Sequence, residues 1–302
     1  YITYKTKYIE SVWWLLKEIY KKGLIYKGYT VQPYSPKAGT GLSSHELNQP
    51  GTYKDVSDVS ITAMFKILNS SLPKELETDC DLFFLAWTTT PWTLPSNTAL
   101  TISKKINYVV IDTFNLYTEK PIRVLLAKDL INKVFDNKFV EINSSKDLLF
   151  RSTEKKIPFL IIDQVKGDRL IDVRYEKIWE DAPLPNDNHE NAYRVISGDF
   201  VTTDEGTGIV HTAPTFGSDD ALAASQASPP VPPLLIKDKN GELVPLVDLQ
   251  GKFIDNLKII GGKYVKNEYY NEDQKPEKSV DVEICIHLKE KNRAFKVEKY
   301  IH

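Results

Sequence analysis

The spacing of apolar and polar residues changes along the chain, and each spacing predicts a different kind of element. From Tyr8 to Lys22, apolar residues recur every three or four positions, which predicts an amphipathic helix that ends at Gly23. Residues 24–34 alternate as a strand does. Prolines and glycines then break the pattern, and residues 35–55 contain little apolar material, which indicates an irregular arm.

Short strand-like runs dominate the middle of the chain, from residue 56 to about residue 270. The runs typical of strands are 60–68, 82–90, 108–113, 123–127, 159–165, 208–211 and 243–247. The other predicted features are short helices at 129–135 and 219–227, a hairpin turn at 239–241 and a polar, exposed insert at 136–147. Many short strands with few helices favour an α+β fold with an antiparallel or mixed, β-barrel-like core over a doubly wound parallel sheet.

The end of the chain changes character again. Ser279 can cap a helix that runs to Asn292, and residues 295–301 then alternate as a strand. We therefore expect an entry helix and connecting arm at 1–55, a main domain at 56–272, and an exit helix and strand at 273–302. The chain has no initial Met and both ends fall within regular elements, so we expect it to be a piece of a larger protein.

Composition and charge exclude several classes of protein. The hydrophobic fraction of 41% is too high for a disordered chain. The apolar run Leu82–Trp87 is far shorter than the roughly 20 residues that span a bilayer, and no signal peptide is evident, so we expect a cytoplasmic protein with no membrane partner. The net charge of −2 means that any contact with nucleic acid is local. Two isolated cysteines and five scattered histidines predict no metal site.

The first stretch that could carry chemistry is WTTTPWTLPSN, residues 87–97. Consecutive threonines on a strand point to alternate faces, so at least one face offers hydroxyl groups beside methyl groups. Such a surface can hydrogen-bond a carbonyl or a ribose. The alternative interpretation is that threonine simply favours strands and tryptophan fills a core.

The second stretch is DEGTGIVHTAPTFGSDD, residues 204–220. A glycine-rich turn leads to a short apolar strand that ends at His211, and two acids, Asp219 and Asp220, begin a helix. The glycines do not form a GxGxxG pattern, so a dinucleotide site is weakly supported. From the residues alone, His211 is as consistent with a core position as with a pocket, and the acids can be helix caps. Nucleophile elbow, P-loop and HExxH patterns are absent.

At these two stretches the chain resembles the editing domain of the isoleucyl-tRNA synthetases, which is inserted into a class I catalytic fold. WTTTPWTLPSN matches the threonine-rich motif, and EGTGIVHTAP with FGSDD matches the other half of the same site. The entry segment KKGLIYKGYTVQPYSP and the exit segment EKNRAFKVEKYIH extend the similarity over nearly the whole chain. The resemblance implies hydrolysis of misformed valyl-tRNA(Ile), with isoleucyl-tRNA(Ile) spared.

The resemblance also implies roles for individual residues. Asp220 aligns with the acid that holds the substrate α-ammonium, and His211 with the pocket wall that excludes isoleucine. The residues that align with the surroundings of the aminoacyl group and the terminal adenosine are Thr88, Thr89, Thr90, Thr93 and Asn97. Of these seven, the resemblance implies that Asp220, Thr88, Thr89 and His211 act in catalysis and that all seven contact the substrate. No general base is assigned, and a hydroxyl of the terminal adenosine is a candidate for assistance.

The ligase signatures of a class I synthetase, an HIGH-like and a KMSKS-like segment, are absent from the chain. We therefore expect no cofactor here, while the parent enzyme would use ATP and Mg. The expected partners are the 3′ acceptor end of tRNA(Ile) carrying valine and the remainder of the synthetase. The alternative function is a non-catalytic module that binds the tRNA acceptor end or a nucleotide.

Overall fold

A computed structural model describes residues 2–26, 31–78, 80–149 and 156–301. The chain divides into two compact units, Tyr1–Val31 and Gln32–His302. The first unit contains helix α1 (Thr6–Lys21), which confirms the predicted entry helix. Gly23 ends it in the left-handed region at φ +70°, with its N–H donating to the Tyr20 carbonyl at 2.8 Å.

The second unit contains the remaining described elements. Its helices are α2 (Ser44–Leu47), α3 (Ile131–Val134), α4 (Ser218–Gln226) and α5 (Val280–Glu290). Its strands are β1 (Tyr34–Ser35), β2 (Thr40–Gly41), β3 (Ser57–Lys66), β4 (Leu82–Thr88), β5 (Ala99–Ile102), β6 (Asn107–Phe114), β7 (Pro121–Ala127), β8 (Phe139–Glu141), β9 (Ile157–Lys166), β10 (Arg194–Ser197), β11 (Ile209–Thr212), β12 (Ile236–Lys237), β13 (Leu243–Val244) and β14 (Ala294–Ile301).

The largest sheet has seven strands in the order β14-β3-β4-β7-β6-β9-β8. The pairs β4–β7 and β8–β9 are parallel and the other neighbours are antiparallel, so the sheet is mixed. The prediction of an α+β fold with an antiparallel or mixed core is therefore confirmed. Across the described ranges the strands do not close into a barrel, because β14 and β8 remain as the two edges.

Both faces of this sheet are buried by side chains that alternate along its strands. On β3, Ile61 and Phe65 point into one apolar cluster and Met64 points into the other. The second cluster includes Phe135 and Phe295, whose ring centroids lie 5.3 Å apart. A sheet covered on both faces is a rigid support for the loops that leave its strand ends.

A second sheet of three strands, ordered β10-β5-β11, contains the strand that follows the first motif, β5, and a strand inside the second motif, β11. Its central strand β5 runs parallel to β10 and antiparallel to β11. Strand β11 also lies beside β4. The two sheets therefore meet at β4 and β11, the strands that carry the start of the first motif and the middle of the second.

Most predicted elements of the second unit are confirmed. The predicted strands correspond to β3, β4, β6, β7, β9, β11 and β13, and the exit helix and strand correspond to α5 and β14. The Ser279 hydroxyl accepts from the Val282 N–H at 3.4 Å, as its predicted capping role requires. The turn at 239–241 joins β12 to β13, with Gly241 at φ +80°.

The predicted strand at 24–34 is wrong in its described part, where only Tyr34 lies in a strand. Leu24 instead takes part in the C-terminal cap of α1, since its N–H donates to the Ile19 carbonyl at 3.3 Å. Residues 27–30 of that prediction lie outside the described residues.

The segment 136–147 is more than the exposed polar insert that its composition predicts. It contains the edge strand β8, which pairs with β9. Phe139 at its start is buried against Phe135, with 4.9 Å between ring centroids. One aromatic side chain therefore anchors a segment whose other residues are mostly polar.

Within the parts of the chain that the structure covers, no helix is long and apolar enough to cross a membrane.

Cys80 is exposed and Cys285 is buried, and both are free thiols.

Candidate functional site

The first motif forms the end of β4 and the tight turn after it, residues 89–97, which we call the threonine turn. Pro91 begins a short 3₁₀ helix there, since its ring fixes the backbone angle that the first helical position needs. The Thr88 hydroxyl accepts a hydrogen bond from the Thr90 N–H at 3.1 Å. The Thr93 hydroxyl donates to the Thr90 carbonyl at 2.8 Å. These bonds hold the threonine side chains in place.

The second motif begins with the glycine loop, residues 204–208, which leads into β11. Gly206 and Gly208 both have positive φ, +73° and +72°. A Cβ at Gly208 would lie 2.4 Å from the Cβ of Ala127, and the Ala127 N–H donates to the Thr207 carbonyl at 2.9 Å. Glycine is required at 208 because the loop passes directly against the end of β7.

Strand pairing brings the two motifs together. Strand β5 directly follows the threonine turn and pairs with β11, with Leu100 opposite His211. As a result, His211 lies against the turn. Its Nε2 is 3.1 Å from the Thr93 hydroxyl and its Nδ1 is 2.8 Å from Nδ2 of Asn97.

The His211 ring is a neutral group in this site. It is 7% exposed, and burial lowers its pKa to about 3. It lies nearly parallel to the Phe65 ring, with 18° between planes and 6.4 Å between centroids. With both ring nitrogens occupied and little affinity for a proton, His211 fits the wall of a pocket better than an acid–base role.

Asn97 is also buried, at 2% exposure. Besides His211, its side chain bonds the Ala99 carbonyl at 2.8 Å and accepts from the Tyr175 hydroxyl at 2.8 Å. These contacts hold the side chain next to His211, and its predicted substrate contact stays a prediction. We place Asn97 behind the pocket wall and not on the pocket surface.

Asp220 lies in the first turn of α4 and folds back over the loop that precedes the helix. Its Oδ2 accepts from the Ala213 N–H at 2.8 Å, two residues beyond His211. Burial raises the pKa of the carboxyl, and the neighbouring Asp219 acts in the same direction. A partly buried carboxylate of this kind gains stability from a cationic ligand.

A cavity of about 310 Å³ lies between the end of β4 and the glycine loop. Thr88, Thr89 and His211 line it, together with Trp87 and Glu205. Thr90, Thr93 and Asn97 are joined to these lining residues by hydrogen bonds, and Asp220 lies at the start of α4. Six of the seven predicted residues are therefore joined around this cavity, and three of them line it directly. Asp220 does not line it and is linked to this region through the Ala213 N–H, two residues beyond His211.

A larger cavity of about 540 Å³ lies elsewhere, along β10 and α4. Lys104, Arg194 and Asp219 line it, and none of the seven predicted residues does. Size therefore does not select the site. The 310 Å³ cavity is the better candidate because both motifs border it.

The sequence prediction missed several residues of this region. Trp87 and Glu205 lie at the edges of the two motifs, so their position in the sequence could have identified them as cavity-lining residues. Phe200 and Thr202 also line the cavity. Tyr175 supports Asn97 from behind, and no motif or spacing marked it.

The site's chemistry is one of binding and orientation. In the described ranges no group of three or more His, Cys, Asp and Glu side chains could hold a metal ion. The Thr93 hydroxyl next to His211 donates to a backbone carbonyl, so the pair is not a nucleophile with its base. A carboxylate, several hydroxyls and a neutral ring can hold a cationic, polar ligand and position water.

A protein-family model described as tRNA synthetases class I (I, L, M and V) matches residues 1–228. The chain belongs to this family. The family resemblance predicted from the two motifs is thereby confirmed. Isoleucine–tRNA ligases of Bacteroides fragilis and Cytophaga hutchinsonii are each 50% identical to this synthetase chain over its whole length.

The synthetase chain spans 27% of the length of each of these curated relatives. Among solved structures, it is similar to the P. falciparum cytosolic leucyl-tRNA synthetase editing domain. That similarity has 13% sequence identity and a TM-score of 0.36, and covers 56% of this chain and 64% of the other.

Proposed function

We propose that this class I synthetase chain is the editing domain of an isoleucine–tRNA ligase. In this proposal it hydrolyses the ester of valyl-tRNA(Ile) and spares isoleucyl-tRNA(Ile). The observation that carries the proposal is the hydrogen bond between Thr93 and His211, which joins the two motifs at the wall of one polar cavity. The 50% identity to isoleucine–tRNA ligases supports the choice of amino acid.

An editing domain is needed because the two amino acids differ very little in structure. Isoleucine and valine differ by one methylene, and this pair is the standard example of how little a pocket gains from it, about 1–3 kcal/mol. A second pocket can reverse the test, because valine fits where isoleucine meets a wall. The buried His211 ring is the proposed wall.

Substrate orientation is assigned to Asp220 and the threonines. The Asp220 carboxylate would pair with the α-ammonium of the aminoacyl group, which offsets the cost of its burial. Thr88 and Thr89 would hydrogen-bond the ester and the terminal adenosine from the cavity wall. Attack on the ester carbonyl then needs a water held in line, and orientation alone can supply a large part of the rate.

No side chain is assigned as a general base. Asp220 paired to an ammonium is a weak base, and a His211 pKa of about 3 makes the ring a weak one as well. A hydroxyl of the terminal adenosine is the proposed assistant. In this proposal, ligation with ATP and Mg is carried out by parts of the parent enzyme outside this chain, and both reactions take place in the cytoplasm.

The test compares Asp220→Asn with the wild type in the full-length synthetase. With valyl-tRNA(Ile), loss of a charge-assisted contact should slow hydrolysis about tenfold to a hundredfold. The matched substrate is the α-hydroxyisovaleryl ester, which lacks the ammonium, and both proteins should hydrolyse it equally.

Two results would contradict the proposal. Equal rates on valyl-tRNA(Ile) would remove Asp220 from the site. Tight binding of the tRNA end with no hydrolysis by the wild type would favour the non-catalytic module.

A further inference from the structure

A chain of buried hydrogen bonds runs behind the proposed pocket wall, from Tyr175 through Asn97 and His211 to Thr93. The Tyr175 hydroxyl donates to Oδ1 of Asn97 at 2.8 Å. The Asn97 amide nitrogen lies 2.8 Å from Nδ1 of His211. The His211 Nε2 lies 3.1 Å from the Thr93 hydroxyl, which ends the chain on the Thr90 carbonyl at 2.8 Å.

Each group in this series of hydrogen bonds donates to the next one, in the direction from Tyr175 to the Thr90 carbonyl. The Asn97 amide nitrogen can only donate, so Nδ1 of His211 must accept. The ring proton is then on Nε2 and is donated to the Thr93 hydroxyl, whose own hydrogen goes to the carbonyl of Thr90. Every group is satisfied in one arrangement, the neutral Nε2–H form of the imidazole.

The Tyr175 hydroxyl is the first donor in this series of hydrogen bonds. It is the donor to Oδ1 of Asn97 within the described residues. Burial raises the pKa of Tyr175 well above its usual range, so the hydroxyl keeps its proton. The Ala99 carbonyl accepts from Nδ2 of Asn97 at 2.8 Å. Because one side of the amide meets a donor and the other an acceptor, the oxygen and the nitrogen of Asn97 can be told apart.

Tyr175 is itself held firmly. It is 2% exposed, and its ring makes an edge contact with Phe65, with 5.5 Å between centroids. Phe65 also backs the His211 ring. The Tyr175 N–H donates to the Tyr193 carbonyl at 3.1 Å. The hydroxyl therefore has little freedom to follow a moving amide.

We infer that Tyr175 is a specificity-determining positioning residue, which acts through Asn97 to fix the tautomer and orientation of the His211 wall. This inference rests on the proposed editing function. A wall that cannot turn penalises one extra methylene, since close-packed sites accommodate added volume poorly. A loosened ring would yield to isoleucine while still accepting valine.

The chain offers a matched control in Tyr193. Its ring packs against Tyr175, with 6.3 Å between centroids and 88° between planes. Its hydroxyl is buried and has no hydrogen-bond partner among the residues that the structure describes. Tyr193→Phe thus removes a tyrosine hydroxyl from the same region and leaves the hydrogen bonds from Tyr175 to Thr93 in place.

The experiment measures hydrolysis of valyl- and isoleucyl-tRNA(Ile) by the full-length synthetase carrying Tyr175→Phe or Tyr193→Phe. We expect Tyr175→Phe to raise the rate on isoleucyl-tRNA(Ile) about tenfold, the equivalent of one hydrogen bond. The KM for valyl-tRNA(Ile) should stay unchanged and its kcat should fall no more than about threefold. Tyr193→Phe should match the wild type on both substrates.

A double-mutant cycle with His211→Ala distinguishes an effect of Tyr175 on the His211 ring from a general loosening of the surrounding fold. If Tyr175 acts through His211, its effect on selectivity disappears when the ring is absent. An effect that persists there, or equal behaviour of the two Tyr→Phe variants, would overturn the inference. A wild type that leaves valyl-tRNA(Ile) intact would instead overturn the proposed function.

Discussion

His211 shows how burial decides the role of a residue. A histidine beside two hydrogen-bonding side chains is a common acid–base arrangement, but here the ring is 7% exposed and its pKa is lowered to about 3. The ring therefore remains neutral through the physiological range. Its contribution to the site is shape and a fixed hydrogen-bond pattern.

This lowered pKa predicts a pH dependence of stability. The His211 pKa is about 3 in the folded chain, and about 6.5 is expected in the unfolded chain. Between these values the unfolded chain binds a proton that the folded chain does not, so the free energy of unfolding rises with pH. The His211 contribution approaches about 1.4 kcal/mol per pH unit inside this window and is level above it.

Urea unfolding from pH 4.5 to 8, with His211→Gln beside the wild type, measures this contribution. The difference between the two free energies should change with pH only below about 6.5. His45→Gln, which replaces an exposed histidine, is measured beside it as the control for a His→Gln change away from the candidate site. A His211→Gln profile parallel to the wild type would contradict this, because it would mean that the ring takes up its proton at the same pH in the folded and unfolded chains.

Much of the candidate site is predictable from sequence, residue by residue. Thr88, Thr93, His211 and Asp220 lie in two motifs with recognisable spacing, and the structure places Thr93 against His211 and Thr88 on the same cavity. Tyr175 is different, because it lies in an isolated bridge to Ile67 and contacts Asn97 only through the fold. A contact made between distant segments leaves no local pattern to read.

At the scale of elements, helix α5 reaches the threonine turn through one carboxylate. Asp281, in the first turn of α5, is fully buried and accepts from the Trp92 N–H at 2.8 Å. Its other oxygen accepts from Lys266 at 2.8 Å, and Lys266 also pairs with Asp58. The exit helix therefore holds the turn that carries Thr93.

We expect Asp281→Ala to destabilise the fold and the site together. Breaking a buried ion pair costs about 3–5 kcal/mol, and the Trp92 N–H loses its acceptor. Glu283→Ala is the matched control, because Glu283 lies on the same helix and pairs with Lys263 in a more exposed position. Its cost should be at most about 1 kcal/mol.

Urea unfolding of the chain and valyl-tRNA(Ile) hydrolysis by the full-length synthetase measure the two effects. Asp281→Ala should lower both the free energy of unfolding and the hydrolysis rate, and Glu283→Ala should leave the rate unchanged. Similar small losses in the two variants would show that Asp281 does not support the threonine turn.

Elements were predictable where periodicity is strong and were missed where strands are short and buried. Strands β3 and β4 stand out by length and apolar content. Strands β5 and β10 have four residues each, and all four residues of β5 are buried. Such a run has no alternation to detect, so the sheet that joins the two motifs was not predicted.

At the scale of the whole molecule, charge and length constrain the account. The chain has a net charge of −2 and spans 27% of its curated relatives. Phosphate contacts supply much of the affinity for nucleic acid. We therefore propose that other parts of the synthetase recognise the tRNA body and that the polar cavity here recognises the aminoacylated end.

The measurement that tests this account most directly is single-turnover hydrolysis of valyl- and isoleucyl-tRNA(Ile), side by side, by the full-length synthetase. The account predicts that the valyl ester is hydrolysed faster by about tenfold or more, in keeping with a discrimination of one methylene by size. Equal rates for the two esters, or faster hydrolysis of the isoleucyl ester, would contradict it.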